Sequence, residues 1–336
     1  VLQPSPTRKK RSRLLRFMSA LVALLAVAGY LVVQYVTGGA ARTRCTVVSA
    51  GDDGARYEFT PEQAVNAATI TAVGTTRDLP ERAIAIALAT ALQESALRNI
   101  DHGDRDSLGL FQQRPSQGWG SPRQIMEPTY AAGKFYDHLV KVPGYTKLPL
   151  TVAAQRVQRS GFPDAYARHE PDATLLAAAL TGHSAATLTC TGLPAAGTRG
   201  ARGPDAVRAA LARDFGREVL QPVGAEVSAP ATATPAAPAS PPASPGGPGG
   251  RVMTLPVTEG RGAESGREAR RRGWQLAHWA VANASALGIE QVSYAGREWT
   301  AGTTGTRWRT APATGSGGAQ GAERDTGAVR IVTVRR

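Results

Sequence analysis

The chain has 336 residues, 42% hydrophobic and 19% charged, with a formal net charge of +13 at pH 7. That length, with a composition that shifts sharply along the chain, predicts two folded units joined by a linker. The charge suggests nucleic acid at first, but residues 1–44 hold Arg8, Lys9, Lys10, Arg11, Arg13, Arg16, Arg42 and Arg44 without one acid. The excess is therefore largely positional, and the basic run lacks the interleaved aromatics of a nucleic-acid surface, so no nucleic-acid partner is expected.

After a basic tail at 1–16, the stretch 17–36 (FMSALVALLAVAGYLVVQYV) is apolar throughout. It has about the 20 residues that span a bilayer as a helix, and the basic flank sets a positive-inside orientation. The expectation is a single-pass membrane protein with its N-terminus cytoplasmic and the rest extracytoplasmic, the lipid bilayer being a partner through 17–36. A cleavable signal peptide ending near Gly38-Gly39-Ala40 is the rival reading. Cys45 and Cys190, the two cysteines, then lie in an oxidising compartment and read as a disulfide; the alternative is two unpaired buried thiols. They are too few for a metal site, and no metal or cofactor is expected.

Residues 45–192 read as helical from Phe59 onward. Thr60-Pro61-Glu62-Gln63 has the Thr cap, the Pro and the Gln of a helix start. A helix over Leu79–Leu97 follows, opened by Pro80 and Glu81, with Ala83, Ile84, Ala87, Leu88, Ala91 and Leu92 as its apolar stripe. Glu94 falls at its C-terminal end. There, apolar neighbours and the negative end of the helix dipole both disfavour the carboxylate and raise its pKa, as a general acid requires.

The loop 99–107 carries Asp101, Asp104 and Asp106. It lacks the glycine and glutamate of a calcium loop at the required positions and reads as a solvated connection. It leads to Ser107-Leu108-Gly109-Leu110-Phe111-Gln112-Gln113, which it returns over Glu94. Further helices are predicted at Thr129–Leu139, Thr151–Gln158 and Asp172–Leu180, and an extension at 193–224 contains one at 204–216.

The order Glu94-Ser95, Gly109-Leu110-Phe111-Gln112, Tyr130 to Tyr136 and Ala153-Ala154-Gln155 resembles the lytic transglycosylase and goose-type lysozyme superfamily over roughly residues 60–180. As a whole it looks like a membrane-anchored branch of lysozyme-like proteins in high-GC actinobacteria, often given transporter names. The resemblance implies a mostly α, lysozyme-like domain that cleaves glycosidic bonds. It makes Glu94 the acid that protonates the leaving oxygen, with Ser95 supporting it and Gly109 and Gln112 lining the sugar cleft. Such enzymes can dispense with the second carboxylate of ordinary glycosidases, although Asp101, Asp104 and Asp106 remain candidates for one.

Where the family shows a Tyr-Asn-Ala-Gly segment, this chain has Val157-Gln158-Arg159-Ser160-Gly161 with Tyr166 following. Gln158 or Tyr166 is expected to supply the missing polar contacts. In Gln113-Arg114-Pro115-Ser116-Gln117-Gly118-Trp119, Trp119 suits a sugar face and Arg114 a peptide carboxylate.

Residues 225–250 are Pro, Ala, Ser and Gly-rich and read as an extended linker. The last segment, 251–336, reads as a small α+β domain: a helix at Trp274–Leu287, strands at Ile289–Tyr294 and Arg297–Thr300, and a strand at Ala328–Val334. It resembles the C-terminal domain of actinobacterial wall hydrolases, but its final strand carries no histidine, so a packing or wall-binding role is expected. The whole predicts a mostly α lysozyme-like domain behind one transmembrane helix, followed by a linker and a small α+β domain. Its expected partners are peptidoglycan glycan strands, with other wall polymers or envelope proteins besides. The expected activity is that of a lytic transglycosylase or muramidase, the alternative being a wall-binding scaffold that keeps the cleft without the chemistry.

Overall fold

The computed structural model describes residues 43–191, 202–220, 251–257, 263–302, 307–311 and 327–334, together with 18, 21, 22 and 24–29. The basic tail, most of 17–36 and the linker at 225–250 lie outside the described residues. The chain forms two units, Val1–Arg42 and Thr43–Arg336. In the first, the described residues are helical and exposed.

Two expectations are corrected here. Among the described residues no helix is long and apolar enough to cross a membrane. A single-pass protein anchored by 17–36, with its cytoplasmic N-terminus and extracytoplasmic remainder, is therefore not supported. The mostly α, lysozyme-like layout with a following α+β domain is also overturned. The second unit contains a three-stranded and a five-stranded antiparallel sheet among its helices.

The three-stranded sheet is built from β1 (Cys45–Val48), β2 (Arg56–Phe59) and β3 (Leu188–Cys190), with β1 central. Cys45 stands opposite Cys190 in the β1–β3 register, and the two form the disulfide. Strands of three or four residues carry too few alternations to be read as strands beforehand, which is why the sheet was not expected.

Helix α1 (Pro61–Thr75) starts as predicted: Thr60 and Gln63 make a reciprocal capping box. Helix α2 (Glu81–Ser95) runs through the middle of the unit. It is buried continuously from Ala83 to Leu92, wider than the predicted stripe, because other helices enclose it. Around it lie α4 (Pro128–Leu139), α5 (Leu150–Gln158) and α6 (Glu170–Leu180), with the short α3 (Pro122–Ile125) leading into α4. Helix α7 (Pro204–Phe215) ends at Gly216.

The five-stranded sheet has the order β4 (Val252–Pro256), β8 (Ala328–Thr333), β5 (Ile289–Tyr294), β6 (Arg297–Thr300), β7 (Arg309–Thr310). Helix α8 (Ala263–Ala282), longer than predicted, and the short α9 (Ala284–Leu287) precede β5. Helix α8 packs on β5 and β8 and also on α1, α6 and β3. Its polar side chains therefore have to find partners inside the protein. Gln275 donates to Thr75 (2.7 Å), the His278 ring nitrogen Nδ1 to the Ala179 carbonyl (2.7 Å), and the Trp279 indole to the buried Asp214 carboxylate (2.8 Å). Trp308 stacks edge-on against Trp274 and donates to the Leu188 carbonyl (2.9 Å). Gly182, at φ +80°, is required where the chain meets α8, since a Cβ there would sit 1.9 Å from the Arg271 carbonyl oxygen.

Candidate active-site cleft

The end of α2 is shaped by its backbone. Ala96 and Leu97 both adopt left-handed conformations, at φ 51° and 57°, a costly pair for residues with side chains. Helix α1 holds them in place: Gln63 donates to the Ala96 carbonyl (2.8 Å) and Asn66 to that of Leu97 (2.7 Å). Glu94 is thereby fixed in the last turn of a buried helix.

Ser95 is buried and its hydroxyl donates to the carbonyls of Ala91 (3.1 Å) and Leu110 (2.8 Å). It fastens the Gly-Leu-Phe-Gln segment to the helix and does not open on the cleft. That segment is a tight loop closed by paired Leu108 and Gln113 backbones. Gly109 sits at φ +75°, where a Cβ would meet the Ile125 carbonyl at 2.8 Å, and its N–H donates to Ile100 (2.7 Å). Gln112, also left-handed, lines the cleft beside Glu94. Gln113 is almost wholly buried, and its amide donates to Ala131 (3.0 Å).

Two side chains from distant segments meet at the acid. The Tyr166 hydroxyl, from a 3₁₀ turn over Ala165–His169, donates to Glu94 Oε1 at 2.6 Å. Gln158, the last residue of α5, also hydrogen-bonds Glu94 and donates to the Phe111 carbonyl (2.8 Å). Burial raises the Glu94 pKa, and the hydrogen bonds from Tyr166 and Gln158 partly oppose that rise by favouring the anion. Burial and the adjoining Glu94 charge both push the Tyr166 phenol far upward, so it stays a donor.

Glu94 opens on a cleft of about 940 Å³ also lined by Gln112, Gln113, Arg114, Trp119 and Gln158. Ser95, Gly109 and Tyr166 shape it from behind. Arg114 is engaged in an ion pair with Asp106 (2.8 Å), whose carboxyl is held well below its ordinary pKa by that guanidinium and by Ser116. Trp119 packs edge-on against His138, ring centroids 4.2 Å apart, and its backbone carbonyl accepts from Tyr130 (3.2 Å). Of the three loop aspartates only Asp104 lines the cleft; Asp101 is exposed and hydrogen-bonded to His102.

Several lining residues were not expected: Arg105, His138, Lys141, Arg156, Arg159 and Phe162. The departure at Val157–Gly161 was the one signal available for Arg159, which lies in the middle of that segment. His138 lies in the last turn of α4 and Lys141 just after it, and neither carried a local motif.

A family model described as VldE, C-terminal domain, matches residues 238–320. None of the curated proteins matches the chain. The matched stretch is less than half of the chain and lies outside the cleft, so the likeness concerns the C-terminal segment alone.

Proposed function

We propose that the chain cleaves the glycan strands of peptidoglycan, as a lytic transglycosylase or muramidase, with Glu94 as general acid. One observation carries the reading. A carboxyl group with its pKa raised by burial opens on a long polar cleft and is positioned by a phenol and an amide. The motif order resembling lytic transglycosylases supports the same chemistry, although the fold expected from it does not hold.

In this reaction Glu94 delivers its proton to the glycosidic oxygen as the bond to the anomeric carbon breaks. Positive charge develops on the sugar ring, and the Glu94 carboxylate left behind accepts from Tyr166 and Gln158. The ring is then quenched by water, giving a reducing end, or by one of its own hydroxyls, giving an anhydro sugar, and the attacking O–H returns its proton to the Glu94 carboxylate. A second carboxylate is not required when the substrate's own acetamido group assists.

The purified chain is expected to release soluble muropeptides from labelled wall, and Glu94→Gln to abolish release; undiminished release by that variant would overturn the assignment. Mass spectrometry of the products separates hydrolysed from anhydro ends. A second reading, wall binding without cleavage, is favoured by the two hydrogen bonds on Glu94, since both stabilise the anion over the acid. Sedimentation with insoluble wall and no released sugar is its signature.

A further inference from the structure

The walls of the cleft are basic in a way that cleavage of a neutral sugar does not require. Lys141 follows α4, Arg156 lies in the last turns of α5 and Arg159 caps it in the left-handed conformation. All three are exposed cleft-lining residues. Among the described residues none of the three is paired with an acid, unlike Arg114, which Asp106 neutralises. Phe162, 74% exposed, stands on the same lip as Arg159.

Two further observations place this charge. The half-buried His138 is pushed below its ordinary pKa first by desolvation and next by Lys141, with Asp137 opposing and Lys134 and Arg159 adding to the fall, so the positive field reaches into the cleft. Glu94 is governed instead by burial and its two hydrogen bonds. Like charges gathered on one wall repel each other unless an anion joins them, and a cleft with low-dielectric walls concentrates such a ligand.

Resting on the glycan-cleaving reading, we infer that Lys141, Arg156 and Arg159 form a docking lip for carboxylate groups carried by the glycan strand, with Phe162 supplying an apolar face beside them. The lip would select carboxylated strands over neutral ones and hold them in register with Glu94. Sugar hydroxyls are left to the amides of Gln112 and Gln158.

The test uses the full chain carrying Glu94→Gln, so that binding is read without cleavage and is separated from the question of catalysis. Calorimetry is run with four probes: a neutral N-acetylglucosamine oligomer, a muramyl-peptide glycan oligomer with free carboxylates, the same oligomer amidated, and a phosphodiester polymer. Replacing Arg156 and Arg159 by Gln is expected to weaken the carboxylated oligomer about tenfold and to leave the neutral oligomer unchanged. Amidation of the oligomer should cost the parent a similar factor and the double variant nothing. Equal losses on neutral and carboxylated probes, an unchanged affinity for the carboxylated probe, or no measurable binding of it would overturn the inference. So would a phosphodiester polymer bound as tightly as the carboxylated oligomer with the same loss, which would reassign the lip to phosphate.

Discussion

The Tyr166 hydroxyl meets Glu94 at 2.6 Å from a residue that is itself fully buried. That bond favours the carboxylate, and so it works against the burial that raises the Glu94 pKa. Tyr166→Phe should therefore raise the Glu94 pKa further and carry the alkaline limb of the pH–rate profile upward. It should also slow turnover by about fivefold, because the carboxylate left after proton donation loses a partner worth roughly 1 kcal/mol. A limb that moves downward would contradict the arrangement.

Glu94 also leaves a mark on stability. Its folded pKa lies above the unfolded value, so the folded chain holds this proton more tightly. The associated stabilisation is fully present below the unfolded pKa and is lost as pH rises through the raised folded one. Glu94→Gln should consequently melt higher than the parent at neutral pH, with the difference shrinking in acid. Thermal melts of the two at several pH values test the sign.

His278 gives the opposite slope. Complete burial drives its pKa down to about 4, against a partial rise from its hydrogen bond to Ala179. Between the ordinary value of 6.5 and that figure, the unfolded chain takes up a proton that the folded one refuses. Stability present above the unfolded pKa is thus lost as pH falls toward the folded one, by an amount on the order of 3 kcal/mol. Urea titrations should show this fall between neutral and mildly acid pH, and His278→Gln should flatten it.

The Cys45–Cys190 disulfide closes a loop across a sequence separation of 145. On the chain-entropy model such a closure contributes about 4–5 kcal/mol. Reduction, or replacement of both cysteines by Ala, should lower the melting temperature with little change in the far-ultraviolet dichroism below it, because β1 and β3 keep their backbone pairing.

Asp214 is a structural counterpart to Glu94, a buried carboxylate that accepts from Trp279, Thr69 and Arg213. Asp214→Ala strands the indole N–H and the threonine hydroxyl, and should cost about 3 kcal/mol. Asp214→Asn should recover part of that, and denaturant unfolding reads both.

The helices were legible because each carries its own signal. The capping box at Thr60 and Gln63, Pro80 before α2, and Gly216 after α7 act within a few residues of where they stand. The small sheet was not, because β1 and β3 are defined by a partner far away in sequence. In the cleft, Glu94, Gln158 and Tyr166 were each named beforehand, yet their meeting at one carboxylate depends on how α2, α5 and a 3₁₀ turn pack. The lip cations were missed for a related reason: exposed arginines and lysines look alike until a fold places them around one opening. Residues 17–36 illustrate the converse, since hydropathy argued a span there and among the described residues no helix is long and apolar enough to cross a membrane.

The order of the five-stranded sheet has a consequence for how the protein is made. Strand β8 lies between β4 and β5, so the latest strand among the described residues is an interior one. During synthesis β4 emerges with nowhere to pair and must wait until residues 328–333 are free, while β5 and β6 can already close as a hairpin. Those six residues thus act as the closing stitch of a sheet begun much earlier. A nascent chain stalled before residue 328 should expose β4 to proteolysis while β5 and β6 resist it.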